Sequence, residues 1–335
     1  MRDEHIPDQS VMTPPTTNQD KPVRPFFYLA PIKGVTDALF RNVFHQHFNG
    51  FDAAMAPFIN PQRHCTAHEK RLTDILPENN TGLPVIPQLL NTDADDFLVL
   101  ADRIQDLGYT HINWNLGCPV PMVARKKRGS GILPYPEMIV DLLEKIMPKL
   151  KLELSIKTRL GYFDTDEIVT LLPLLDDFPL REIIIHARLG KQLYDGKVDL
   201  DGFARCRHST RHELVYNGDI TDVAVFQKLK QRFPWVTRWM IGRGILADPL
   251  LILSLQGETT EPFERLEMLQ AFHTDLFRNL RKRLSGPGHL LGRMKQLWLY
   301  HIASYPQQQK SIKKIKKART VSQYCAAVEE ILKNS

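Results

Sequence analysis

With 335 residues, 43% of them apolar and 24% charged, the chain can hold one barrel-sized domain plus an accessory unit, and its composition is ordinary for a globular protein. No apolar run reaches the ~18 residues that span a bilayer, and four scattered cysteines without a C-x-x-C pair (Cys65, Cys118, Cys206, Cys325) argue against disulfide, zinc or iron–sulfur frameworks. The net charge of +6 is uneven: residues 256–335 hold 14 Lys and Arg against 7 Asp and Glu, the remainder 30 against 31, so the last quarter suits a polyanion, with nucleic acid the first candidate.

Residues 1–24 are polar and proline-bearing, with no apolar core of a signal peptide. They read as a disordered tail, which makes a cytoplasmic location the default. Short β-rich apolar runs follow: "FFYLAP" (26–31), "FDAAMAPF" (51–58), "VIPQLL" (85–90) and "HINWNLG" (111–117) in the first half. "ELSIKTRLG" (153–161), "EIIIHAR" (182–188), "ELVYNGDI" (213–220) and "RWMIGRGI" (238–245) make up the second. Between them lie stretches with apolar residues at helical spacing, such as "ADDFLVLADRIQDLG" and "PEMIVDLLEKIMPKL". Eight strands alternating with helices predict a (β/α)8 TIM barrel over residues 25–255, followed by a basic helical domain at 256–335. The rival is a doubly wound open sheet, but no G-x-G-x-x-G follows the first strand. His64, Cys65 and His68 form a local cluster without a partner cluster, and read better as a solvated helix start than as a metal site.

Chemistry in such barrels gathers at the C-terminal strand ends. Polar residues stand there on otherwise apolar strands: Gln88, Asn113, Asn115 and Cys118, then Lys157 and Arg159, His186 and Arg188, Asn217 and Asp219, and Arg243. An ammonium facing a barrel interior is costly unless an anion meets it, so Lys157 predicts an anionic ligand. The turns "YNGDI" and "IGRGI" end the last two strands, where glycine lets backbone N–H groups approach a phosphate closely. Asp219 could contribute there only through its backbone N–H, whereas Arg243 offers a forked cationic donor. Just past Cys118 comes the basic run Arg125, Lys126, Lys127 and Arg128.

In "LAPIKGVTDALFR", "PQLL", "NLGCP", "IKTRLGY", "IIHARLGKQLYDGKVD", "YNGDI" and "MIGRGIL", taken in this order, the chain resembles the tRNA-dihydrouridine synthases. The resemblance implies a flavin barrel with a C-terminal helical domain, using FMN with NADPH as reductant to reduce the C5–C6 double bond of specific uridines in tRNA. It places Pro31, Ile32 and Lys33 along the isoalloxazine, Gln88 at its pyrimidine side, Lys157 at its N1/C2 edge and His186 against the cofactor. Asn217, Gly218 and Asp219, with Gly242 and Arg243, would hold the phosphate. Asn115 would help position the target base, Cys118 would be the proton donor, and Arg125 to Arg128 would meet RNA phosphates. No metal, membrane or obligate protein partner is expected. Departures such as Ile32 for methionine, "GSGILPYP" and "HARL" remove no catalytic group and bear on which uridine is chosen. Three alternatives stay open: a flavin barrel acting on a free small molecule of dihydroorotate or enoate type, a non-catalytic RNA-binding barrel, and a flavin-free lyase using Lys157 as a Schiff base.

Overall fold

Strands form where the β-rich apolar runs predicted them, in a computed structural model that describes residues 24–60, 72–301 and 306–333. Residues 1–23 of the expected tail and the His64, Cys65, His68 cluster lie outside the described residues. The strands are β1 (Phe26–Leu29), β2 (Ala53–Met55), β3 (Val85–Ile86), β4 (Gln88–Leu89), β5 (His111–Leu116), β6 (Glu153–Gly161), β7 (Ile183–Leu189), β8 (Leu214–Asn217) and β9 (Arg238–Ile241). All pairings are parallel, in the order β3-β2-β1-β9-β8-β7-β6-β5-β4.

The two ends of that order, β3 and β4, are separated only by Pro87. Val85 and Ile86 pair with β2, and Gln88 and Leu89 pair with β5, so one stave serves two neighbours and the barrel closes. Pro87 has no N–H to give to a ladder, but its carbonyl still accepts from Asn113 N at 2.9 Å. The nine segments therefore make the eight staves expected. The last stave is shorter than its apolar run suggested: it stops at Ile241, and Arg243–Ala247 is helical.

The helices start where aspartates can cap them. Asp37, Asp93, Asp199 and Asp222 each accept a hydrogen bond from a backbone N–H three residues on. Helix Ala94–Asp106 then buries Phe97, Leu100, Ala101 and Ile104, a single helical stripe, against the barrel. Strands covered on both faces need apolar residues throughout, which is why β7 begins Ile183–Ile184–Ile185.

After the barrel come helices Pro262–Arg283, Gly286–His301, Gln309–Lys317 and Val321–Lys333. Phe272 of the first packs on Phe40, Phe44 and Phe48 of the barrel at ring separations of 6.0, 5.9 and 5.1 Å. Helix Gly286–His301 meets the loop after β1: Arg293 donates to Val35 O and lies 3.4 Å from Asp37 Oδ2. The C-terminal helices thus share the barrel's core and flank its mouth. Helix Gln309–Lys317 buries Ser311, Ile312 and Ile315 and turns its lysines to solvent. Among the described residues, no helix is long and apolar enough to cross a membrane.

Candidate active site

The strand-end residues form three connected groups around one mouth. The first lies on β4 and β5. Gln88 Nε2 donates to Asn113 Oδ1 at 2.8 Å and to Met55 Sδ, and Gln88 Oε1 accepts from Asn115 Nδ2 at 2.7 Å. Period-two alternation puts Asn113 and Asn115 on the same face, as the sequence implied, and Gln88 bridges them. Asn115 Oδ1 also accepts from the backbone N–H of Gly117 and Cys118, at 3.0 and 2.8 Å. Asn115 therefore sets the loop that carries the thiol. Gln88 is sealed from solvent within this layer.

Cys118 is held from its other side as well. Its carbonyl accepts from Ser130 N at 3.0 Å and Ser130 Oγ at 3.1 Å. Gly129 has φ +58, and a Cβ there would lie 2.5 Å from Cys118 O, so the turn back onto the loop needs glycine. Burial pushes the thiol's pKa up, against smaller opposing pulls from the Val120 backbone, Arg159 and Lys33. The thiol is thereby kept protonated near neutral pH. The run at 125–128 is not among the influences on it: Arg125 and Lys126 are exposed, Lys127 lies 3.9 Å over the Tyr135 ring, and Arg128 donates to Asn60 Oδ1 at 3.3 Å.

The second group is on β6 and β8. Lys157 donates to Asn217 Oδ1 at 2.9 Å, and Asn217 Nδ2 donates to Met240 O. No carboxylate pairs with Lys157 among the described residues. Burial, helped by Arg159, lowers its pKa to about 7. Arg159 is a clamp. Its Nε donates to Gly117 O, and its Nη1 to Leu189 O and Leu193 O, tying the loops after β5 and β7 together.

The third group is on β7, β8 and the turn after β9. Arg188 donates through Nη1 to Asp219 Oδ1 at 2.9 Å and through Nη2 to Asp219 Oδ2, and Arg243 Nη2 reaches Asp219 Oδ1 at 2.8 Å. Although burial opposes it, the two arginines hold the Asp219 carboxyl below its ordinary range. They also fix Asp219 at φ +36, a conformation that costs a non-glycine residue energy. Burial first, then Arg159, Lys157, Arg188 and Arg243, push His186 well below the usual imidazole pKa. Its Nε2 faces Arg188 Nη1 at 3.3 Å; an arginine can only donate, so Nε2 accepts and Nδ1 carries the proton.

Among the described residues, the amides of Gly218, Asp219, Gly242 and Arg243 find no hydrogen-bond acceptor. A Cβ on Gly242 would stand 3.3 Å from Ala30 Cβ and 3.6 Å from Ile32 Cδ1, so the bare backbone leaves a narrow gap beside the Pro31–Ile32–Lys33 loop. Free N–H groups at two adjacent strand ends, beside a lysine without a counter-ion, match the chemistry of a phosphorylated, electron-rich cofactor such as FMN.

Comparison with known proteins supports that architecture. The family model for dihydrouridine synthase (Dus) matches residues 28–334. The chain belongs to the dihydrouridine synthase family. It is 30% identical over 288 residues to the "Probable tRNA-dihydrouridine synthase 2" of Bacillus subtilis (strain 168), covering 82% of this chain and 85% of that protein. It is 29% identical over 269 residues to the "Probable tRNA-dihydrouridine synthase" of Staphylococcus aureus (strain COL), covering 77% and 79%. Among solved structures, morphinone reductase superposes with a TM-score of 0.51 at 11% identity, covering 72% of this chain and 88% of that one. The old yellow enzyme from Trypanosoma cruzi also gives 0.51 at 11% identity, covering 73% and 95%. These two share the barrel fold. The oxidoreductase class read from the motifs, a tRNA-dihydrouridine synthase, agrees with the family.

The synthase mouth also contains residues that the strand-end reading passed over. Tyr194 lies beneath both Arg159 and Arg243, each 5.1 Å from its ring centroid, with His186 6.1 Å away. Its position in "KQLYDG", beyond the strand, gave no periodic signal. Arg293 comes from the C-terminal helices and joins Val35 and Asp37 beside the first loop. Nothing in the primary sequence links it to residues some 260 positions earlier.

Proposed function

We propose that this synthase binds FMN at the strand ends, takes reducing equivalents from NADPH, and reduces the C5–C6 bond of uridines in tRNA in the cytoplasm. The observation that carries the reading is the pairing, in one barrel mouth, of a protonated thiol with a buried lysine, Lys157, that meets an amide oxygen and no carboxylate among the described residues. Amides of Gly218, Asp219, Gly242 and Arg243 would hold the phosphate, and the Arg243 guanidinium, which also binds Asp219, would border it. Lys157 would stand at the electron-rich edge of the ring system, with Pro31, Ile32 and Lys33 along it and Gln88 behind. His186, neutral and protonated at Nδ1, can donate one hydrogen bond to the bound group.

FMN, when bound, supplies the hydride for C6 of the base. The protein's part is to deliver the proton to C5. Cys118 gives up its S–H, the C5–H bond forms, and the thiolate left behind is stabilised by Arg159 and Lys33, the two cations that pull its pKa down. Solvent then reprotonates the sulfur. Asn115 keeps Cys118 in place and would help orient the base. A uridine stacked in folded RNA must be extruded to reach this depth, so gripping the RNA body falls to basic surfaces outside the mouth. The exposed lysines of Gln309–Lys317 and the arginines of the 278–283 stretch would serve as that grip.

The test is direct. The purified protein should show a flavin spectrum and release FMN near stoichiometrically, and should form dihydrouridine in an unmodified tRNA transcript when given NADPH. A protein that holds no flavin, even after FMN is added, would overturn the proposal. A flavoprotein that reduces a free enoate or dihydroorotate-type compound but not tRNA would shift the reading to a small-molecule oxidoreductase.

A further inference from the structure

Large exposed apolar side chains are concentrated on one lip of the mouth. Of the ten among the described residues, five lie on the loops after three adjacent staves: Val120 and Met122 after β5, Phe163 after β6, and Leu193 and Tyr194 after β7. Met122 is 74% exposed and Phe163 57%. Single exposed apolar residues need no explanation, but a cluster beside a catalytic thiol does.

The lip is built as a unit. Arg159 bonds Gly117, Leu189 and Leu193, joining the loops after β5 and β7. Lys191 N donates to Tyr162 O at 3.0 Å, and Gly190 has no room for a Cβ against Tyr162 and Ser130. Ser130 in turn holds the Cys118 carbonyl. Phe163 and Met122 are therefore fixed relative to Cys118 through a short chain of backbone contacts, while their side chains face solvent.

Charge narrows the occupant. Lys191 Nζ lies 5.4 Å over the Phe163 ring, and Arg125 and Lys126 are exposed one turn beyond Met122. An aromatic face with a movable ammonium on it, beside further cations, suits a planar base joined to a phosphate. An aliphatic or aromatic peptide would leave three cations without partners.

We infer that Phe163, with Lys191 over its ring, is the platform on which an unstacked nucleotide next to the target uridine rests, with Lys191 swinging from the ring to that nucleotide's phosphate. The inference rests on the proposed action on RNA and adds a positioning surface to it. A base pulled from a folded loop leaves its neighbour without a stacking partner, and a replacement surface lowers the cost of extrusion.

The experiment measures the Kd of the flavin-loaded enzyme for an unmodified tRNA transcript, and single-turnover dihydrouridine formation, at several salt concentrations. Phe163→Ala and Phe163→Leu should weaken binding about ten-fold or more without changing the salt slope, while Phe163→Tyr should restore it. Lys191→Ala should lower the salt slope by about one unit. A transcript with 2-aminopurine beside the target uridine should show a fluorescence change on binding wild type that Phe163→Ala abolishes. Flavin content and melting temperature, unchanged in all variants, separate a contact from a folding defect. Wild-type affinity in Phe163→Ala, or full function in Phe163→Leu, would overturn the inference. So would a change in oligomeric state in Phe163→Ala, which would assign the lip to a second copy of the chain. Failure of the wild-type protein to bind or modify tRNA would instead remove the function on which the inference rests.

Discussion

The two ends of the barrel both bury charge, but only one of them balances it. At the N-terminal end, buried Glu182 accepts from Arg238 Nη1 at 3.0 Å and from Tyr28 Oη at 3.1 Å, and Arg238 also reaches Glu213 at 3.2 Å. At the C-terminal end, Lys157, Arg159, Arg188 and Arg243 converge, and Asp219 is the carboxylate that answers the last two. Burial desolvates both sets. The lower end has internal partners for its charges, whereas the upper end leaves an ammonium with an amide oxygen for company. The charge at the lower end is closed within the chain; at the upper end Lys157, the residue proposed to meet the cofactor, is left without a carboxylate among the described residues.

The comparison can be broken at several points. The largest effect is expected from Cys118→Ala, which should retain FMN and tRNA affinity but slow dihydrouridine formation by about 100- to 10,000-fold in single turnover. Turnover near wild type would take the thiol out of the mechanism. Next, Glu182→Ala should cost about 2 to 4 kcal/mol in urea unfolding, because Arg238 and Tyr28 lose a buried partner. Lys157→Met should stay within about 1 kcal/mol of wild type in the same assay while losing FMN affinity. Equal destabilisation by both would erase the distinction between the two ends.

A third prediction concerns acid stability. Burial lowers His273 and His301 in the C-terminal helices, and His111 at the barrel's lower end, to about 4. His273 Nε2 is bonded to Tyr324 Oη at 2.8 Å, and His301 packs on Trp298. The unfolded chain binds more protons at these sites, so their contribution is fully present above about pH 6.5 and is lost as pH falls toward 4. Asp219, held low, adds a loss of the same sign only below its ordinary range near 3.8. The melting temperature should drop steadily between pH 6.5 and 4, and His273→Gln should flatten that slope; an unchanged slope would exclude His273 as a source.

A smaller effect of opposite sense belongs to Lys157. With its pKa near 7, the free protein loses this ammonium as pH rises, so FMN affinity should weaken above pH 7 and binding should take up protons. Fluorescence titration from pH 6.5 to 9 should show the slope in wild type and not in Lys157→Met. The smallest effect is expected from Arg125→Ala and Lys126→Ala, each lowering the salt slope of tRNA binding by about one unit.

Much of the upper end could be read in the chain itself. The strand count, the polar residues closing the third to eighth staves, and the Gly218 and Gly242 turns all lie within short windows, where period-two alternation and glycine chemistry are local properties. The third stave was legible as one run, although Pro87 divides its hydrogen bonding between two neighbours. The pairing of Asp219 with Arg188 and Arg243 was not legible, since it joins three staves 24 to 31 positions apart. Nor was the diversion of Lys127 to the Tyr135 ring and of Arg128 to Asn60, which leaves Arg125 and Lys126 as the exposed cations of the run without such a contact among the described residues.

By itself the sequence determined the barrel and the polar residues at its C-terminal strand ends, because these follow from patterns within single elements. The tertiary structure alone decided which cations are paired and which remain open, that Asn115 and Ser130 hold Cys118, and that helix Gly286–His301 flanks the mouth. The physical reason is that charge balance and burial are properties of neighbourhoods, and neighbourhoods here are assembled from residues far apart in the chain.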